Sequence, residues 1–250
     1  VRITLQASLN EVSALALLLA IGYPFTGIGK VTDGMGRLIE ALALPLEYLL
    51  ETKVEKIKRV RDGFKVFAEE EGEFFSEELL LAFPFLENLQ VFEDDEIRAY
   101  FSKFKELLSP YSALVVYGEY TGRNLHLSPS YLVILPKNKK SPYSSGYLFL
   151  SFLPLKKGKV TFTLSTHTPL AMWNGNLENV SLIKEALLKS LLENLCEVLS
   201  EDISHFADSF IATPFTFQRY LHKIHTGGIP YNLKNNPFHI PGNTTPFKGL

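Results

Sequence analysis

His167 stands in the run STHTPLAMW, at the end of a stretch that reads as a strand, with the chain's one tryptophan, Trp173, six residues further on. An imidazole so placed could relay a proton or orient a polar group, or it could be a hydrogen-bonded structural residue at a strand end. A second place of interest is Asp33-Gly34-Met35-Gly36-Arg37-Leu38, where glycines open a helix. Glycines there let the backbone approach a ligand closely and aim amides at an anion, although a tight helix entry needs the same residues. No strand precedes this cluster and the full G-x-G-x-x-G is not present, so it is not a dinucleotide fingerprint.

The other histidines, His126, His205, His222, His225 and His239, lack the pairings that metal binding favours. His222 and His225 are three apart but have no Asp, Glu or Cys beside them, and no metal is expected. There is no G-x-S-x-G elbow for a nucleophilic serine. Cys196 is alone, so it forms no internal disulfide, and its setting in LLENLCEVL points to a helix core. The chain carries no self-contained catalytic set. Its 19 Phe and 11 Tyr concentrate in strand-like stretches and in segments such as 215–220. They could line a long apolar pocket or form plain core; Trp173 and Tyr220 are the candidate substrate contacts.

These residues need elements to hold them. Residues 13–21 are apolar on nearly all sides, which suits a helix packed within a larger assembly. A short helix is predicted over 37–44, ending near Pro45. Then come strands at 47–57 and 64–69 joined by an Arg61-Asp62-Gly63 turn, and a third at 77–83 after a turn around Gly72, giving a meander. Helical spacing marks 96–108 and, at greater length, 181–199. Between them four strands are expected, at 113–120, 131–135, 147–153 and 160–166. Beyond Thr213 the abundance of Gly, Pro and Asn reads as an extended segment. The expected class is α+β, with a mixed or antiparallel sheet, packed helices and a small separate meander.

The chain has 250 residues, 46% hydrophobic and 21% charged, enough for one large domain or two small ones. A formal net charge of −2 gives no basic surface for nucleic acid. No apolar run is long enough for a membrane span, and the start has neither the basic head nor the cleavage pattern of a signal peptide. The cytoplasm is the expected location. The lysines within 137–140 and 156–159 could make a peripheral contact with an anionic membrane. A chain beginning with Val suggests a trimmed or unusual start.

Four segments in order resemble the phytoene-desaturase and carotenoid-isomerase-like FAD-dependent oxidoreductases. They are GIGKVTDGMGRLIEALA at 27–43, the hairpin opened by TKVEKI at 52–57, the pair SALVVYG at 112–118 and LSTHTPLAMW at 164–173, and the closing ATPFTFQRY, GGIPYNL and TPFKGL. The resemblance implies FAD as cofactor, with Val54 against the adenine and Gly34 and Gly36 at the glycine-rich helix entry. It implies a flavin-domain side over 1–86, a substrate-binding domain over 87–209 and a return linker over 210–250. The substrate would be a long apolar polyene, desaturated, saturated or isomerised. The family's amino-terminal glycine motif and its final Gly-Asp segment are not in this sequence. FAD is therefore expected to bind weakly or not at all to this chain alone, the flavin-holding segments coming in cis or in trans. Exposed apolar surface on that side would favour self-association. The alternatives are an apolar-ligand or lipid-binding domain without catalysis, and an amine-oxidase-like flavoenzyme with a polar substrate.

Overall fold

The computed structural model describes all residues except 1–9, 23–30, 32–33, 124–129, 137–140, 155–159, 176, 234, 236–241 and 243. Tyr23, Pro24, Asp33, His126, His239 and the lysines of 137–140 and 156–159 lie outside the described residues. The chain divides into two compact units, Val1–Leu108 with Ile229–Leu250, and Ser109–Gly228. Residues 87–108 thus belong with the first unit and 210–228 with the second.

The first unit holds helices α1 (Ala14–Gly22) and α2 (Met35–Ala43), strands β1 (Val54–Val60), β2 (Gly63–Ala68) and β3 (Gly72–Ser76), and helix α3 (Asp95–Lys105). The strands form an antiparallel sheet in the order β1-β2-β3. The meander is present, but two of its strands are not where sequence alone puts them. The first begins at Val54 rather than at 47, because its partner runs out where Val54 meets Ala68. In the segment before it, Glu51 takes a left-handed conformation (φ 56°). The third strand lies at Gly72–Ser76 rather than at 77–83: Ser76 faces Phe64, one residue from the start of β2, so the pairing ends there. The chain then turns away, and Leu79 donates its amide to the Gly249 carbonyl at 2.6 Å. Ile57, Phe64, Phe92, Ile97 and Phe101 form this unit's core, with Phe247 and Leu250 packed against it. Helix α3 starts at Asp94, whose carboxylate caps the Glu96 and Ile97 amides at 2.9 and 3.1 Å. Helix α1 turns most of its apolar surface outward, with Leu18 66% exposed.

The second unit is a five-stranded antiparallel sheet, in the order β5-β6-β7-β4-β8, backed by a long helix. The strands are β4 (Tyr111–Tyr120), β5 (Ser130–Ile134), β6 (Leu148–Pro154), β7 (Val160–Pro169) and β8 (Phe210–Ala212). Helix α4 (Val180–Leu199) buries Leu187, Leu191, Leu192 and Leu195 against Leu114, Val116, Leu150, Phe162 and Leu164 of one sheet face. In β7 burial alternates strictly from residue to residue, the period-2 pattern of a sheet with one face in the core. α4 stops at Ser200, which takes the left-handed C-cap conformation.

The stretch from 210 is not wholly extended, as sequence composition suggests. Residues Phe210–Ala212 pair with β4 as an edge strand. Thr213 then opens helix α5 (Pro214–Leu221) through a capping box with Thr216, and Pro214 sits in the first turn, where its missing N–H costs nothing. A Thr-Pro start is a helix signal that the surrounding Gly and Pro obscure.

Candidate functional site

The face of the second unit's sheet turned away from α4 is only partly covered, and its side chains follow from strand register. Opposed residues form a row across the sheet: Tyr131, Ser151, Thr163, Tyr117 and Phe210. A second row runs Val133, Phe149, Ser165, Val115 and Ala212. Tyr131 stacks on Phe149 and Tyr117 on Phe210, with ring centroids 6.1 and 5.3 Å apart. The hydroxyls of Ser151 and Thr163 meet at 2.9 Å. Neither row contains a charged residue; the first carboxylate along β4 on this face is Glu119, opposite Thr161. Burial pushes the Tyr117 phenol up from its ordinary value, so it is neutral near pH 7.

His167 lies on the same face, opposite Ala113. Its Nδ1 is 2.8 Å from the Tyr147 hydroxyl, and the rings sit 6.0 Å apart. Such a contact fixes the ring's orientation and biases its tautomer. Tyr147 was not legible as a partner, because twenty residues and a hairpin separate the two. Trp173 is placed differently. It is 1% exposed, its indole N–H donates to Thr168 at 2.7 Å, and it packs edge-on against Tyr143 and Phe215. It is part of the core behind the sheet. Tyr220 is 69% exposed on α5 and lines a cleft of about 810 Å³ between α4, β8 and α5.

In the first unit, Val54 lines a cleft of about 520 Å³ with Tyr48, Thr52, Val66, Ala68 and Phe74. Val54 faces Ala68, and Val66 faces Phe74, so these four share one face of the meander. Gly34 precedes the first residue of α2, whose start has no side-chain cap. A Cβ at Gly34 or Gly36 would meet no atom of the described residues within 4 Å. Neither Gly34 nor Gly36 lines this cleft, so these are two features, each of a chemistry that a different part of FAD could use. The aliphatic meander face and the rings of Tyr48 and Phe74 suit a purine, and the uncapped α2 amides suit a phosphate.

A buried polar cluster lies at the far end of α4. Glu201, with a side chain 1% exposed, accepts hydrogen bonds from the Tyr120 hydroxyl at 2.6 Å and the Arg123 amide at 2.7 Å. His205 Nδ1 approaches its other oxygen at 2.6 Å. Burial, then the charges of Asp202 and Glu201, push the Cys196 thiol up. The reactive thiolate is thus suppressed, and alkylation of Cys196 by iodoacetamide near pH 8 is expected to be at least about tenfold slower than in the urea-unfolded chain. Equal rates, followed by mass spectrometry, would show that the helix end is open. His225 Nδ1 contacts the Ser109 carbonyl oxygen at 2.8 Å. Among the described residues no group of three or more His, Cys, Asp or Glu could hold a metal ion, and no helix is long and apolar enough to cross a membrane.

The family model described as "Flavin containing amine oxidoreductase" matches residues 4–235. No curated protein matches the chain. Among solved structures, the cyclohexylamine oxidase from Brevibacterium oxydans IH-35A is similar at 14% identity, with 81% of this chain and 43% of that one covered and a TM-score of 0.49. A wild-type putrescine oxidase bound to putrescine is similar at 14% identity, with 72% and 38% covered and a TM-score of 0.45. The chain spans about two fifths of the length of these structures.

Proposed function

The chain belongs to the flavin containing amine oxidoreductase family, and from that premise we propose that its second unit forms the substrate wall of an FAD-dependent oxidation of an apolar amine. The observation that carries this reading is the uncharged face of the five-stranded sheet, where aromatic rings and hydroxyls form two rows across all five strands. Such a wall desolvates its ligand and favours a neutral molecule over an ammonium ion, and oxidation next to nitrogen requires the neutral amine. The bound flavin supplies the hydride acceptor. For its part the chain orients the hydrocarbon on Tyr131, Phe149, Tyr117 and Phe210, and excludes water from it. His167, held by Tyr147, is the wall's imidazole and the group we assign to take a proton from a bound ammonium. In the first unit Val54, Val66, Ala68 and Phe74 would hold the adenine, with Gly34 and Gly36 beside the phosphates.

A polyene substrate is the second reading, supported by the same lack of charge on the wall and by the THTPL and GGIP segments. The two separate when the flavin-loaded protein is mixed without oxygen with benzylamine or with a carotenoid precursor. The amine is expected to bleach the flavin's visible absorption and to release benzaldehyde and ammonia in equal amounts. Bleaching by the polyene alone would establish the second reading as a desaturation, and bleaching by neither would remove both amine oxidation and polyene desaturation. The outward apolar residues of α1 and α2, Leu18, Ile39 and Leu42 among them, support contact with further polypeptide, in cis or in trans.

A further inference from the structure

The cleft between α4, β8 and α5 adjoins the edge of the sheet face, sharing Tyr117 and Phe210 with it, and adds a helix wall that carries charge. One wall is the α4 stripe Ser181, Lys184, Glu185 and Leu188, spaced at i, i+3, i+4 and i+7 so that all four border the cleft. The opposite wall is α5, with Phe217 and Tyr220, and the floor is β8 with Phe210. At about 810 Å³ the cleft falls within the range of small-molecule sites, and its surface is mostly apolar. Lys184 is half-buried within it, whereas its neighbour Glu185 is exposed. One turn further along, Lys189 pairs with Glu193 at 4.0 Å, but Lys184 has no ion pair among the described residues.

A lysine that borders a mostly apolar cleft with no ion pair among the described residues is one that a ligand anion could complement. Lys184 is the one cation among the lining residues, and Glu185, which borders the same cleft, is exposed and so keeps its carboxylate in water. A monoanion is therefore balanced, whereas a phosphate dianion would bring charge that nothing here neutralises. We propose that this cleft binds an apolar monocarboxylate, its carboxylate on Lys184 Nζ and its hydrocarbon against Leu188, Phe210, Phe217 and Tyr220.

The test uses dansyl-undecanoic acid and its methyl ester as fluorescent probes, titrated into the chain as expressed. The acid is expected to saturate at one equivalent and to bind about tenfold more tightly than the ester, the worth of one charge-assisted hydrogen bond at a partly wet site. Lys184→Met should weaken the acid by about the same factor and leave the ester unchanged, Lys184→Arg should retain binding, and Lys189→Met should change nothing. Equal binding of acid and ester overturns the proposal, as does an acid affinity indifferent to Lys184→Met. The acid and ester comparison on the unaltered chain decides the matter even if a variant fails to fold. Because the test reads the difference between a carboxylate and its ester, and neither amine turnover nor flavin reduction, failure here leaves the oxidation reading of the sheet face untouched.

Discussion

Glu201→Ala is expected to lower the stability of the second unit by about 3 kcal/mol, one of the two largest single-residue effects in this chain. The reason is the number of groups that one buried carboxylate satisfies. Tyr120 is 2% exposed, and its hydroxyl donates to Glu201; the Arg123 amide donates to the same oxygen, and His205 contacts the other. Removing the acceptor strands a buried phenol, which must then open to water or remain unpaired. Glu201→Gln keeps an acceptor oxygen for Tyr120 and Arg123 but gives up the charge and the second acceptor at His205, so its cost should be about 1–2 kcal/mol. The readout is unusually clean, because the single tryptophan lies in this unit's core, 1% exposed. Urea unfolding followed by Trp173 fluorescence should rank the unaltered chain, Glu201→Gln and Glu201→Ala in that order of midpoint. If alanine proves as stable as glutamine, the cluster is ornamental to the fold.

Gly63→Ala should have a comparable effect on the first unit, about 2–4 kcal/mol. The φ of Gly63 is +156°, and a Cβ placed there would lie 2.2 Å from the Ser76 carbonyl oxygen and 2.9 Å from the Glu77 Cα. Both obstacles are backbone, so no rotamer change relieves them; β3 must move away from β2 or the hairpin must reshape. Gly72 provides the control. It too has a positive φ, +87°, but an added Cβ meets nothing within 4 Å, so Gly72→Ala incurs backbone strain alone, about 1 kcal/mol. Amide hydrogen exchange over β1 and β2 should show much greater loss of protection for Gly63→Ala than for Gly72→Ala. Equal losses would mean that the close approach of β2 to residues 76 and 77 is not a stable contact.

Both experiments address features for which sequence offered partial guidance. Asp62-Gly63 announced a hairpin, and one forms, with Val60 paired to Gly63 across it. That Gly63 is also required by a carbonyl from the third strand could not be read from the turn. The expected strands at 47–57 and 77–83 show why: hydrophobic content marks a segment as able to pair, but the length of its partner decides how much of it does. Residues such as Tyr48, Leu50 and Leu80, 61, 76 and 88% exposed, are apolar without a strand to join.

By itself the sequence determined the α+β class, the two long alternating strands β4 and β7, the leucine stripe of α4 and the flavin-family resemblance. Each of these is a local periodicity or an ordered set of short motifs, and local chemistry is enough to specify it. The tertiary structure alone decided that Tyr147 meets His167, that Trp173 is core while Tyr220 faces a cleft, that Phe210–Ala212 joins the sheet edge, and that Tyr120 and His205 converge on Glu201. Those are contacts between elements distant in the chain or on opposite sides of a turn. Their geometry is fixed only when strand register and helix packing are settled together, and no single stretch of residues encodes that.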